Sequence, residues 1–240
     1  MKNQDPNQEH LQSIINLYTQ GQLQQALSEA TQMLEGFPNS VVLYNIAGAS
    51  NAGLMQFDAA IDSYKQALKI KPDYADAYNN MGISLKEKGD LDAAIDSFKQ
   101  ALKIKPDYAE AYNNMGVALK DKGNSEAAIT SYKQALKIKP NYAEAYNNMG
   151  VALKEKGDLD AAIDSFKQAL KIKPDYADAY NNMGVALKDK GNSEAAITSY
   201  KYNIAGASNA GLMQFDAAID SYKQALKIKP DYADAYNNMG

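Results

Sequence analysis

Prolines punctuate this chain at a fixed interval: Pro38, Pro72, Pro106, Pro140 and Pro174 are each 34 residues apart. Self-similarity at such a period confines a chain to stacked units, because one unit cannot bury its apolar face alone and must lean on its neighbours. The clearest unit is residues 75–108, ADAYNNMGISLKEKGDLDAAIDSFKQALKIKPDY. Within it Tyr78, Met81, Gly82 and Leu85 fall at i, i+3, i+4 and i+7, and Leu91, Ala94, Ile95, Phe98, Ala101 and Leu102 continue that rhythm in a second run. This spacing predicts two helices. Gly89 sits just past the first, where a left-handed residue is wanted. Asp90 follows as an N-cap, with Asn124 and Asn192 taking its place in alternating units. Pro106 ends the second helix, since it has no N–H and disfavours helix in the residue before it. The unit is helix, tight turn, helix.

Tyr78-x2-Met81-Gly82-x2-Leu85, Ala94-x3-Phe98 and Pro106 resemble the tetratricopeptide repeat (TPR). The resemblance implies an all-α fold, a right-handed superhelical solenoid of antiparallel helix pairs whose first helices line a concave groove. Gly82 and Ala94 are small enough to let the two helices approach, with Phe98 and Tyr78 filling the space on either side.

Several boundaries follow from the repeat. Residues 1–6 are expected to be a disordered lead-in. An array over 7–201 opens with two divergent units: residues 7–40, with a Gln-rich face suited to a solvent-facing cap, and residues 41–74, with Met55 at the turn position. Near-identical units then begin at Ala75, Ala109, Ala143 and Ala177, alternating in pairs. After Lys201 the pattern breaks, and residues 202–240 repeat residues 44–82 residue for residue. Pro174 and Pro230 are 56 apart rather than 68, which reads as 12 residues missing from two repeats. With no Pro between Ser193 and Ala210, one irregular fused helix is expected over 193–212, weakened by Gly206 and Gly211 at roughly 1 kcal/mol each. Such a helix cannot fold back at the normal place. Residues 202–240 are therefore expected either to exchange with a second chain as a homodimer or to be an assembly artefact with a frayed end. The chain stops inside a first helix, at residues 237–240, which reads as the end of a fragment.

Composition serves mainly to exclude. A net charge of -4 with interleaved Lys and acidic residues leaves no basic field for a phosphate backbone, so no nucleic-acid partner is expected. There is no cysteine, and the single histidine, His10, has no ligand partner, so neither a metal nor another cofactor is expected. No apolar run reaches membrane-spanning length and the N-terminus has no apolar core, so a soluble, cytoplasmic protein without a membrane partner is expected.

Catalysis needs unlike groups converging on one point, whereas the groups here recur every one or two repeats. Asp90 and Asp92 recur as Asp158 and Asp160 at helix starts, where capping and the helix dipole account for them. No catalytic residue is expected. The better candidates are the Asn pairs of the first helices: Asn79 and Asn80, Asn113 and Asn114, Asn147 and Asn148, Asn181 and Asn182. Asn is a poor helix former, and stacking would align these side chains along one surface. The array is similar to the repeat arm of O-linked N-acetylglucosamine transferases. That resemblance implies an asparagine ladder at Asn80, Asn114, Asn148 and Asn182 that hydrogen-bonds a peptide backbone.

An amide offers both donor and acceptor, and so can pair with a peptide unit irrespective of its side chain. Four rungs of two bonds at about 1 kcal/mol net give on the order of 8 kcal/mol, against about 4–15 kcal/mol for association, so the ladder supports weak, sequence-tolerant binding. The opposing reading is that these amides bond neighbouring elements or merely reflect copying. Ile83, Val117, Val151 and Val185 would add an apolar strip, and Lys86, Lys120, Lys154 and Lys188 would meet acidic ligand residues or stay solvated. Tyr74, Tyr108, Tyr142, Tyr176 and Tyr232 read as inter-repeat packing. The reading is a non-enzymatic scaffold holding an extended protein or peptide segment. The alternatives are the substrate-recruiting arm of a larger glycosyltransferase-like enzyme, and a self-associating structural repeat.

Overall fold

The structure is a computed structural model that describes residues 5–202 and 209–239, with side chains described for 5–191, 217–235 and 237–238. Among the described residues all regular structure is helical. The chain divides into two compact units, Met1–Lys122 and Gly123–Gly240.

The first unit holds α1 (Gln8–Thr19), α2 (Leu23–Gly36), α3 (Val41–Gly53), α4 (Phe57–Ile70), α5 (Ala75–Lys88), α6 (Leu91–Ile104) and α7 (Ala109–Asp121). Each helix packs on the next, and first helices stack on first helices, α3 on α5 and α5 on α7. The ends are set by the expected residues. Gly89 takes φ 90°, and the Asp90 carboxylate accepts from the Ala93 N–H at 3.3 Å. In the divergent unit Met55 holds the same left-handed place at φ 60°, although it has a side chain. The α5–α6 pair closes on Gly82, where an added Cβ would lie 2.7 Å from the Phe98 ring. Phe98 is fully buried there, a burial worth roughly 1.5–3 kcal/mol. The expected lead-in is partly placed: residues 1–4 lie outside the described residues, while Pro6 is buried and the Ser40 hydroxyl donates to the Asp5 carboxylate.

The second unit holds α8 (Ser125–Ile138), α9 (Ala143–Glu155), α10 (Leu159–Ile172), α11 (Ala177–Tyr202), α12 (Asn209–Ile228) and α13 (Ala233–Met239). Here the joint departs from expectation. A helix longer than the unit helices does form, but it starts upstream: α11 has 26 residues where α9 has 13, and it continues through Gly191 and Asn192 without turning. Of the expected span, residues 193–202 belong to α11 and 209–212 to α12, while 203–208 lie outside the described residues. The chain does fold back, and α12 packs on α11. Ala218, Tyr222 and Ala225 are buried as Ala60, Tyr64 and Ala67 are in α4, and Tyr222 lies against Gly184 as Phe98 lies against Gly82. α13 then stacks on the start of α11 as the next first helix.

In this structure the joint packs as one repeat carrying an insertion. The side chain of Asn238 reaches Asn181 across 57 residues, where Asn182 reaches Asn147 across 35, a detour of 22.

Candidate functional site: the asparagine ladder

The first helices α5, α7, α9 and α11 each carry an Asn pair about one turn in, and α3 carries the single Asn45 at the same place. The two members differ. Asn79, Asn113, Asn147 and Asn181 are buried, whereas Asn80, Asn114, Asn148 and Asn182 are half-buried. Within each unit the second Asn of one repeat donates to the first Asn of the repeat before it. Asn114 Nδ2 donates to Asn79 Oδ1 at 3.1 Å and Asn182 Nδ2 to Asn147 Oδ1 at 3.0 Å.

The bonding extends past the near-identical copies. Asn80 Nδ2 donates to Asn45 Oδ1 and Asn238 Nδ2 to Asn181 Oδ1, both at 3.3 Å. Neither Asn45 nor Asn238 was a sequence candidate, although Asn45 precedes Asn79 by one period and could have been found by that spacing. Part of the ladder's capacity thus goes into the array itself, which satisfies amides that burial would otherwise penalise. Asn80 gives one N–H to Asn45 and accepts one bond from Asn79. An Asn amide has two N–H groups and two acceptor positions, so one of each is left over on its exposed side.

The flanking candidates are more committed. Ile83 and Val151 are half-buried and pack against the clusters around Phe98 and Phe166, and Val117 is half-buried. Lys86 Nζ pairs with Glu87 at 2.6 Å and Lys120 Nζ with Asp121 at 3.0 Å, while Lys188 Nζ donates to the Asn238 carbonyl at 3.3 Å. Lys154 is half-buried near the end of α9. The positive charge along this face is therefore largely compensated.

The remaining repeated groups are structural. Asp158 caps α10 through the Ala161 N–H, and Asp160 receives Lys190 at 2.7 Å. Lys122 pairs likewise with Asp92. Each linker Tyr lies under a Lys, as Lys105 lies 4.3 Å from the Tyr108 ring centre and Lys173 4.8 Å from that of Tyr176. Tyr108 packs on Ala101, Leu102 and Ala111. Burial foremost, then its bond to Asp76, holds the Tyr108 hydroxyl well above the usual tyrosine range. Among the described residues no cluster of His, Asp or Glu could hold a metal, and no helix is long and apolar enough to cross a membrane.

The TPR repeat profile matches residues 56–89, 84–123, 118–157, 152–191 and 214–240. The chain belongs to the tetratricopeptide repeat family. Between its last two matches the profile skips 192–213, the insertion seen in the joint. Among solved structures, the TPR array is similar to MamA at 26% identity and TM-score 0.60, over 80% of this chain and 93% of that one. It is similar in fold to YrrB, described as a TPR protein with an unusual peptide-binding site, at 22% identity and TM-score 0.59, over 87% and 96% of the two chains. PilW, a type IV pilus biogenesis factor, shares the fold at 20% identity and TM-score 0.79, over 98% and 100%. Comparison with curated protein sequences gave no match.

Proposed function

We propose that the chain is a non-catalytic interaction scaffold that binds an extended polypeptide segment along its first helices. The observation that carries this reading is the half-buried second Asn, recurring at one place per repeat and oriented by its bond to the preceding rung. A fixed amide with spare donor and acceptor capacity suits a peptide backbone, since it needs no particular side chain on the ligand. The likeness to YrrB, itself described as peptide-binding, supports the same class of ligand. With Lys86 and Lys120 already paired, charge selects the ligand weakly and the backbone carries most of the recognition.

The test is a lysate pull-down read by mass spectrometry, comparing the chain with a variant carrying Asn80→Ala, Asn114→Ala, Asn148→Ala and Asn182→Ala. The two are first matched for helicity and mass in solution, because these amides also tie repeats together. Partners captured by the chain and lost from the folded variant are the expected result. An unchanged partner list would reduce the ladder to its structural role.

A further inference from the structure

Residues 179–201 repeat residues 111–133 without a difference, yet the two stretches fold differently. In the first, Gly123 takes φ 85°, Asn124 caps by accepting from the Ala127 N–H at 3.1 Å, and α8 begins at Ser125 with Ala128, Ile129, Tyr132 and Ala135 buried. In the second, the same residues run on as one helix to Tyr202. The face of α11 around Gly184 is covered instead by α12, through Tyr222.

We propose that this chain encodes two second helices for one docking face, a local one over 193–206 and the distal Phe215–Ile228, so that α12 and α13 form a displaceable segment. The local segment carries its own turn, cap and ring, in Gly191, Asn192 and Tyr200, which are the residues that work in the earlier copy. Its weakness lies further on. Where α8 has Ala135, fully buried, and Ile138, the local segment has Asn203 and Gly206. An Asn in a slot sized for Ala is a polar group without a partner, and Gly lowers helix propensity. The distal segment brings Ala225 to that slot. It also delivers Pro230, Tyr232 and Asn238, which start the next rung through Asn181 and the Tyr232–Asp178 bond. The distal helix therefore holds the face, and residues 193–202 of the local one run on in α11 instead.

The chain has no cysteine, so a spin-label pair at Asp175→Cys and Lys201→Cys reports the choice directly. A straight α11 separates the labels by about 35–40 Å, and a turn at Gly191 brings them to roughly 15 Å. The unsubstituted pair is expected at the long distance. Tyr222→Ala, which strips the ring from the distal helix, is expected to bring up the short distance. So is a variant with Tyr202→Gln, Asn203→Ala, Ile204→Leu, Ala205→Lys and Gly206→Ile, which gives the local helix the ending of α8. Adding Tyr200→Ala to either is expected to remove the short peak again. A long distance retained in both variants, or a broad distribution without the short peak, would overturn the proposal.

Discussion

Asn80 and Gly82 show how much one residue type decides in a repeat that has room for few alternatives. Asn79 is buried, and its amide oxygen receives a bond from the next repeat, so it belongs to the array. Asn80, half-buried, joins the array on one side and faces solvent on the other. Sequence spacing found both residues but could not separate their roles, because burial across neighbouring repeats is what distinguishes them. Gly82 is needed for the opposite reason, the absence of a side chain. Gly82→Ala would gain about 1 kcal/mol in helix propensity, but its Cβ would meet the Phe98 ring at 2.7 Å. The ring is fully buried and cannot swing away, so the overpacking cost of about 1–3 kcal/mol wins. We expect a lower urea midpoint, corresponding to a net loss of about 1 kcal/mol. An unchanged or higher midpoint would mean that the α5–α6 pair can open at no cost.

Among elements, the instructive comparison is residues 51–70 with 209–228, one sequence in two conformations. The first copy turns at Met55 between α3 and α4, and the second is the single helix α12. Met is a good helix former and has no preference for the left-handed region. The turn at Met55 is thus imposed by packing α3 on α4, and where that packing is missing the helix runs on. Met55→Gly should relieve the strain and stabilise the first unit by about 1 kcal/mol, read as a raised urea midpoint. Met55 is 75% exposed, so little packing is lost in the exchange. The same comparison marks the limit of what the sequence carries. Period, helix ends and the caps at Asp90, Asn124 and Asp158 were legible because each depends on a few adjacent residues. The joint was not, since Gly191 and Asn192 spell the same turn as Gly123 and Asn124. Its outcome depends on which distant helix fits the Gly184 face better, a contest between two tertiary pairings that no local signal encodes.

For the molecule as a whole, repetition turns a small local effect into a summed one, and the tyrosines show it. Burial foremost, with Glu144 and Asp178 adding, pushes the Tyr176 hydroxyl up to about 12. Burial, helped by the bond to Asp178, pushes Tyr232 up to about 12, and burial with a contribution from Asp189 does the same for Tyr222. Tyr64, Tyr74 and Tyr108 are raised as well, each by burial first. In the unfolded chain all of these titrate near 10. As pH rises through 10 the unfolded state releases protons first, so the folded state binds more of them and stability falls with pH. The contribution is complete below pH 10 and is lost as pH rises through the raised values, about 12 for Tyr176, Tyr222 and Tyr232 and higher still for Tyr64 and Tyr108. The urea midpoint should therefore stay level to about pH 9.5 and then drop steeply, with the tyrosinate absorbance of these six tyrosines appearing as the helices melt. Tyr222→Phe separates this cause from lysine deprotonation in the same range. Phe98 and Phe166 already fill the equivalent slot, and the buried Tyr222 hydroxyl has no hydrogen-bond partner among the described residues. The variant should gain about 1 kcal/mol at neutral pH and decline less steeply above pH 10. A decline as steep as that of the unsubstituted chain would assign the alkaline loss to the lysines instead.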